Sequence, residues 1–363
     1  MPAVRMIITC SLVLALSALP ACQSCSDRRS PPAADNGGSE IETRRLDTVR
    51  LQSPPGNLGT ALDLPAPRVR SFELVAAGKE PRQPLRYAAE AGEDALNVTV
   101  RVDSREIVGE EWTPWGTLPE LRYGLALRRE AAGSALEVRG LDLSVGQPAA
   151  GSAPDVATYV ARATEEMSRR YRDQVQGRRA SATIDARGRI EVLEPVAGSE
   201  PKPGAHTRQE MLQILAESVV PLPEEPVGVG ARWQVTMLMR RGAGMVNQVA
   251  TYELVAVDQK AAKGQSGQGA SPSWRIKATI DQDGEHQAIS PPELPDGVSA
   301  ELLALLWRAD GELEVSPQSL TPRSGKLAIQ YSVHSRLASG GVSMDLLLET
   351  KGAIELATAA AAP

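Results

Sequence analysis

The residues with the clearest chemical potential stand together at Glu110, Glu111, Trp112 and Trp115. Carboxylates accept hydrogen bonds from hydroxyl groups, and an indole ring offers a flat face on which a sugar ring can stack. The spacing therefore predicts a ligand-binding patch for a carbohydrate. The alternative, and the more common arrangement, is a loop that its two tryptophans hold against the core without any binding role.

Other combinations of residues that carry chemistry are missing from the sequence. It has no Gly-x-Ser-x-Gly elbow, no phosphate-binding loop ending in Gly-Lys-Ser/Thr, and no His-Glu-x-x-His pair. The three histidines, His206, His286 and His334, are far apart along the chain and are interpreted as surface residues. The acidic segment 281–285 departs from the calcium-binding EF-hand pattern. No catalytic residue, metal site or cofactor is predicted, and the chain is not expected to be an enzyme.

The cysteine at position 22 follows the pattern of a lipidation site. Arg5 precedes an apolar run, residues 6–19, that is too short to span a bilayer and has the length of a signal-peptide core. The run ends in Leu-Pro-Ala-Cys, which resembles the lipobox of bacterial lipoproteins, where the cysteine is lipidated and becomes the mature N-terminus. The sequence predicts a signal peptide over residues 1–21 and a lipid on Cys22. An ordinary secretory signal is the alternative.

Residues 22–68 are rich in proline, serine, glycine and charge, without apolar periodicity, so they are predicted to form a disordered tether. The short tail, residues 358–363, is predicted to be disordered as well. Gln23 follows the predicted lipidated cysteine. By resemblance to bacterial lipoproteins, a residue other than aspartate there implies an anchor in the outer membrane, with the protein facing the periplasm.

The bulk composition is that of a globular protein. Of 363 residues, 42% are hydrophobic and 23% are charged, and the formal net charge is −6. A nucleic-acid-binding surface is normally strongly basic, so nucleic acid is excluded as an expected partner. No stretch beyond the N-terminus is apolar enough to predict a membrane-spanning helix.

From about Val69 onward, apolar and polar residues alternate with the period of half-buried β-strands. Such segments run over residues 96–102, 121–127, 233–239, 274–280, 327–333 and 342–348. Alternation of this kind indicates antiparallel sheets with one face in water. Three dipeptides predict tight turns between strands, namely Arg187-Gly188, Asp283-Gly284 and Asp310-Gly311.

Helical periodicity is found over residues 153–175 and 208–219, and a third helix is predicted over 298–307. The predicted fold is therefore α+β and mostly antiparallel β, with curved sheets covered by two or three helices. The soluble part is assigned to residues 69–357. Two similar segments, 183–195 and 307–317, leave open one domain or two related lobes that divide near residue 200.

Residues 221–235, Pro-Leu-Pro-Glu-Glu-Pro-Val-Gly-Val-Gly-Ala-Arg-Trp-Gln-Val, form a distinctive segment. Its prolines favour an extended run, its glycines a tight turn, and Trp233 then opens a strand. The segment resembles a recurring element in an uncharacterised family of secreted and lipid-anchored bacterial proteins. The resemblance covers about residue 69 to the end of the chain. It implies no catalytic residue, because that family has no established activity.

Three classes of function follow from these patterns. The first is a binding or carrier module of the cell envelope, in which curved sheets hold an apolar ligand and the lipid keeps the protein at the membrane. The second is a structural or assembly lipoprotein that acts through contacts with an envelope protein. The third is an envelope hydrolase that uses Glu110 or Glu111 on a carbohydrate. The non-enzymatic classes are preferred.

Overall fold

A computed structural model describes the greater part of the predicted soluble region. The described residues are 68–88, 92–108, 111–117, 120–130, 133–136, 144–145, 180–195, 219–241, 244–258, 272–289 and 297–358. The predicted signal peptide, Cys22, the tether up to residue 67, Glu110 and residues 359–363 lie outside them. So do the whole of the predicted helix 153–175 and residues 208–218 of the second predicted helix.

The described chain forms one antiparallel sheet of sixteen strands. The strands are β1 (Arg68–Ala76), β2 (Gly92–Val108), β3 (Glu111–Trp112), β4 (Gly116–Thr117), β5 (Leu121–Glu130), β6 (Gly133–Leu136), β7 (Ser144–Val145), β8 (Ala180–Ile184), β9 (Ile190–Pro195), β10 (Arg232–Arg241), β11 (Gly244–Asp258), β12 (Ser273–Gly284), β13 (Gln287–Ile289), β14 (Val298–Val315), β15 (Ser324–Ser339) and β16 (Val342–Thr358). Their order in the sheet is β1-β10-β11-β12-β14-β15-β16-β2-β5-β6-β8-β9. The short strands β3 and β4 pair with β2, β7 with β5, and β13 with β14.

The sheet has one buried and one solvated face, as the alternating sequence predicts. We call the side that enters the core the inner face and the opposite side the outer face. Along β2, for example, Val98, Val100 and Val102 are buried, whereas Arg101 between them is exposed. The predicted strands and the mostly antiparallel β architecture are thereby confirmed, since side chains of opposite polarity separate cleanly at period two.

The core is a single cluster of buried apolar side chains that draws on strands from both ends of the chain. Trp233, at the start of β10, is fully buried and stacks on Tyr252, with 5.8 Å between the ring centroids. Its indole Nε1 donates a hydrogen bond to the carbonyl oxygen of Pro221 at 2.8 Å. Trp233 therefore ties the proline-rich segment to the sheet while satisfying its own buried polar atom.

The turn at residues 227–231 packs against the segment that follows β1. Gln83 and Val227 exchange two backbone hydrogen bonds of 2.9 Å. A Cβ atom added at Gly228 would overlap the carbonyl oxygen of Lys79, whereas one at Gly230 would meet nothing within 4 Å. Gly230 instead has a φ of +84°, a conformation that side chains disfavour. The two glycines are thus required for different reasons.

We expect Gly228→Ala to destabilise the protein more than Gly230→Ala. The second change costs only the left-handed backbone strain, about 1 to 2 kcal/mol. The first must also push apart two hydrogen-bonded segments of backbone. Chemical denaturation of both variants checks this ranking, and equal or reversed losses of stability would contradict the close approach at Gly228.

The prediction of a third helix over residues 298–307 is wrong, because this segment lies in strand β14. Its leucines and alanines favour a helix in isolation. The register of β14 against β15 shifts between Leu302 and Ala304. That irregularity places Leu302 and Leu305, three residues apart, on the inner face together, and so imitates helical spacing.

The predicted tight turn at Asp310-Gly311 is also wrong, because β14 continues through it. A Cβ atom at Gly311 would overlap the carbonyl oxygen of Lys326 on β15, so this glycine permits a close strand approach and does not reverse the chain. Asp283-Gly284 ends β12, but the next strand, β13, pairs with β14. The turn at Arg187-Gly188 is confirmed between β8 and β9, and Gly188 there has a φ of +76°.

The described residues contain strands and connections but no helix, so the covering helices of the predicted α+β fold are not found among them. No helix in this part of the chain is long and apolar enough to cross a membrane. Strands on either side of residue 200 belong to one continuous sheet, because β16 pairs with β2. The two similar segments differ in structure, since 183–195 spans the β8–β9 hairpin and 307–317 lies mostly within β14.

Candidate functional site

The predicted patch of tryptophans lies on the outer face, beside the long strand β2. Strands β3 and β4 fold back on β2, with Trp112 opposite Ile107 and Gly116 opposite Ser104. This brings both indole rings to the Arg105 guanidinium, whose central carbon is 4.4 Å from the Trp112 centroid and 4.6 Å from that of Trp115. The ammonium nitrogen of Lys351 lies 4.3 Å from the Trp115 centroid.

These contacts show what the tryptophans do within the chain. Each cation–π contact stabilises the structure by about 0.5 to 1 kcal/mol at an exposed site. The Arg105 Nε also donates a 2.7 Å hydrogen bond to Glu349. Trp112 and Trp115 remain 36% and 38% exposed. Glu111 is exposed and, as the neighbour of Trp112 along β3, points to the opposite side. The structure therefore unites the tryptophans but separates Glu111 from them, and carbohydrate binding stays a prediction.

A second candidate site lies on the inner face, near the turn between β15 and β16. Along β16 the inner side chains become steadily more exposed toward this turn: Thr350 is 3% exposed, Leu348 7%, Met344 52% and Val342 72%. Met344 lies opposite the buried Leu337 of β15. The apolar core thus continues, without a break in register, into an apolar surface that is open to solvent.

The carboxylate of Glu106 lies at this end of the inner face. Glu106 is opposite Leu348, which belongs to the core, and it follows Val102 and Ser104 on the same side of β2. Its backbone is held firmly, because its carbonyl oxygen accepts a 2.8 Å hydrogen bond from the Thr113 N–H and its own N–H donates to the Thr113 hydroxyl at 3.0 Å. The side chain is partly buried, and loss of hydration raises the pKa of its carboxyl group.

Glu106 differs from the carboxylates on the outer face of the same strands. There, Glu349 pairs with Arg105. Asp345 pairs with Arg336, whose hydrogen bonds lower the pKa of Asp345 to about 2. Among the described residues, no cation lies within ion-pairing distance of the Glu106 carboxylate. It is therefore a partly buried carboxylate beside a core leucine, with no compensating charge in this part of the chain.

Polar side chains form a row across the inner face, two residues further along the strands than Glu106 and away from the β15–β16 turn. The row crosses six neighbouring strands, and its members are Ser104, Thr350, Tyr331, Trp307, Gln282 and Gln248. At its far end, Gln282 donates a 2.6 Å hydrogen bond to Gln248 and accepts one of 2.8 Å from the Arg241 Nε. The Arg241 guanidinium also lies 4.8 Å from the Trp307 centroid. A band of polar groups therefore crosses the inner face.

The near end of this row is less well satisfied. The Thr350 hydroxyl is buried and makes no hydrogen bond to the described residues. An unmade hydrogen bond at a buried polar atom costs about 1 to 3 kcal/mol. Thr350 stands beside Leu348 on the same face, and hence diagonally next to Glu106. Two polar groups without partners in the described chain thus meet where the inner face opens.

Sequence reasoning missed both of these residues, although a signal for Glu106 was present. Extending the alternation of Val98, Val100 and Val102 by two steps places Ser104 and then Glu106 on the core side of β2. A carboxylate at a position that the pattern assigns to the core is unusual unless it is paired. Extending the alternation of segment 342–348 by one step likewise places Thr350 on the core side, but its lack of a partner depends on strands far apart in sequence.

The fold and this inner surface define an antiparallel β-sheet protein whose core face opens at the β15–β16 turn. In comparisons with protein-family profiles and with curated proteins, no match to the chain is found. The family resemblance of residues 221–235 therefore stays a prediction. Among the described residues, no three side chains of the metal-ligating types cluster together.

Proposed function

We propose that this chain is a cell-envelope lipoprotein, anchored through Cys22 in the outer membrane, whose soluble part binds an apolar ligand. The binding surface is the inner face near the β15–β16 turn. The observation that carries the proposal is the exposure of Met344 and Val342, 52% and 72%, on a face that elsewhere forms the core. A ligand covering them would extend the core, at about 25 cal/mol for each Å² of apolar surface removed from water.

A dye-binding assay tests the binding surface. Full-length protein is incubated with a naphthylamine dye that fluoresces in apolar surroundings, and Met344→Asp is compared with Leu306→Asp. The two wild-type side chains are 52% and 51% exposed, but Leu306 lies on the outer face of β14. We expect Met344→Asp to weaken dye binding about tenfold or more, because it places a charge in the binding surface. Leu306→Asp should leave binding unchanged.

Native mass spectrometry of the protein isolated from its own envelope provides the complementary measurement. We expect a bound mass that denaturation removes and that Met344→Asp reduces. If the wild-type protein carries no extra mass and does not bind the dye, the inner face is not a ligand site and the proposal fails.

The anchor is tested separately by Cys22→Ser. The thiol is the group to which a lipid would be attached, and several acyl chains hold a protein firmly at a membrane. We expect the variant to fold but to appear in the soluble fraction after a carbonate wash. If it still sediments with membranes, the lipid on Cys22 is not what holds the chain there.

A second candidate function, assembly through protein contacts, is favoured by strand β1. This strand stands at one end of the described sheet and pairs only with β10 there. Its Val69 and Val75 are 42% and 53% exposed. A free sheet edge presents unpaired N–H and C=O groups to an added strand. A photo-crosslinker at position 75 should capture an envelope protein if this edge is used, whereas the same group at Leu306 should not.

A further inference from the structure

The inner face is apolar, but the residues at its open end also indicate the chemistry of the ligand's polar end. The following inference rests on the proposed function and deepens it. Glu106 lies where the buried core meets the open surface, opposite Leu348, while Met344 lies four residues further along β16. A molecule that covers Met344 and extends into the core along this strand must pass the carboxylate.

Charge decides what can lie against that carboxylate. No cation of the described chain pairs with Glu106, although every neighbouring outer-face carboxylate named above has one. Two cations of the described inner face have other partners: Arg241 contacts Gln282 and the Trp307 ring, and Arg129 pairs with Asp94. A fatty acid placed here would bring a second negative charge beside Glu106, and like charges at close range repel.

The neighbouring Thr350 adds a second polar contact. Its buried hydroxyl makes no hydrogen bond in the described chain, and it stands diagonally next to Glu106 on the same face. An ammonium group carries three hydrogen-bond donors and no acceptor. It can donate to the carboxylate and to this hydroxyl oxygen at once.

The exposed side chains set the size of the apolar part. From Leu348 to Val342, β16 advances six residues, or about 20 Å at the rise of an antiparallel strand. A single long alkyl chain can lie along that distance over Leu346 and Met344. Separately, burial raises the pKa of the Glu106 carboxyl group, and no cation of the described chain opposes this shift.

We propose that the ligand is a long-chain amphiphile with a protonated amine at its polar end, the ammonium group lying between Glu106 and Thr350 and the chain along the inner face of β16.

Competition by tetradecylamine, tetradecanol and tetradecanoic acid against the fluorescent dye tests this on the full-length protein. The three compounds share one chain and differ only in the end group. We expect the amine to bind about tenfold more tightly than the alcohol, as a charge-assisted hydrogen bond allows, and the acid to bind most weakly. Glu106→Gln should abolish the preference for the amine over the alcohol.

Glu312→Gln, the same change at an exposed position on the outer face of β14, is the matched control and should alter nothing. Circular dichroism spectra and melting curves establish that each variant is folded, and Glu106→Asp serves as a second variant that keeps the charge and should keep the preference. If the amine and the alcohol compete equally, or the acid competes best, the inference is overturned while the apolar site stands. If none of the three displaces the dye, the proposed function itself fails.

Discussion

Replacing Trp233 by alanine is expected to lower the free energy of unfolding by about 3 to 5 kcal/mol, the usual cost of deleting a buried aromatic side chain. The indole is fully buried, stacks on Tyr252 and donates a hydrogen bond to the Pro221 carbonyl. Its loss leaves a cavity and also an unsatisfied carbonyl oxygen. The proline-rich segment would lose its attachment to β10. Chemical denaturation followed by circular dichroism measures the change.

Trp112→Ala is the matched control for this experiment. Trp112 is 36% exposed and contacts Arg105, so its removal should cost about 1 kcal/mol or less. Trp233→Phe provides a further comparison, because it keeps most of the apolar volume but removes the indole donor. An alanine variant at position 233 with an unchanged denaturation midpoint would show that the segment 219–231 does not depend on Trp233.

Replacing Asp94 by alanine is expected to have a similar effect, about 3 to 5 kcal/mol, because it breaks a buried ion pair and leaves one charge behind. Asp94 is 8% exposed and lies 3.4 Å from the Arg129 Nε. Its carboxylate also accepts a 3.0 Å hydrogen bond from the Leu320 N–H. One side chain on β2 thus holds both β5 and the connection between β14 and β15.

Two variants separate the parts of this effect. Asp94→Asn keeps an acceptor for the Leu320 amide and should cost less than Asp94→Ala. Asp281→Ala breaks the exposed pair with Arg308 and should cost less than about 1 kcal/mol. Equal losses from Asp94→Ala and Asp281→Ala in urea denaturation would mean that burial of the first pair has no energetic consequence.

The pH dependence of the Asp94 contribution has a definite sign. Burial raises the pKa of the Asp94 carboxyl above its ordinary value, although Arg129 and the Leu320 amide act in the opposite direction. Between the unfolded and the raised folded pKa, the folded protein binds more protons. The stability contributed by this titration is therefore present below the unfolded pKa and is lost as pH rises through the folded one. The contribution of Asp94 to the slope of unfolding free energy against pH should vanish in Asp94→Asn.

The sequence was sufficient to predict the strands, because the alternation of Leu96 to Val102, like that in β10, β12, β15 and β16, follows from burial of one face alone. It was insufficient where contacts between distant strands decide the local structure. Leu302 and Leu305 imitate a helix because of an irregular register against β15. Gly311 imitates a turn, although it is there to let Lys326 approach.

In the candidate site, too, local sequence patterns were predictable and contacts between distant strands were not. The tryptophans at 112 and 115 could be found by residue type, but their engagement by Arg105 and Lys351 depends on how β3, β4 and β16 meet β2. Glu106 could be assigned to the inner face by counting along β2. Its lack of a partner in the described chain could not be predicted, because that depends on which strands surround it.

The position of β16 has a consequence for how the protein is made. This strand is the last of the described strands along the chain, yet it stands in the middle of the sheet, between β15 and β2. Ribosomes synthesise a chain from its N-terminus, so the β2 side and the β10–β15 side stay unjoined until β16 emerges. Long-range pairing of this kind is slow and follows synthesis. A premature stop codon before residue 342 would therefore divide the described sheet in two. Deletion of β1, by contrast, would only remove a strand from the end of the sheet.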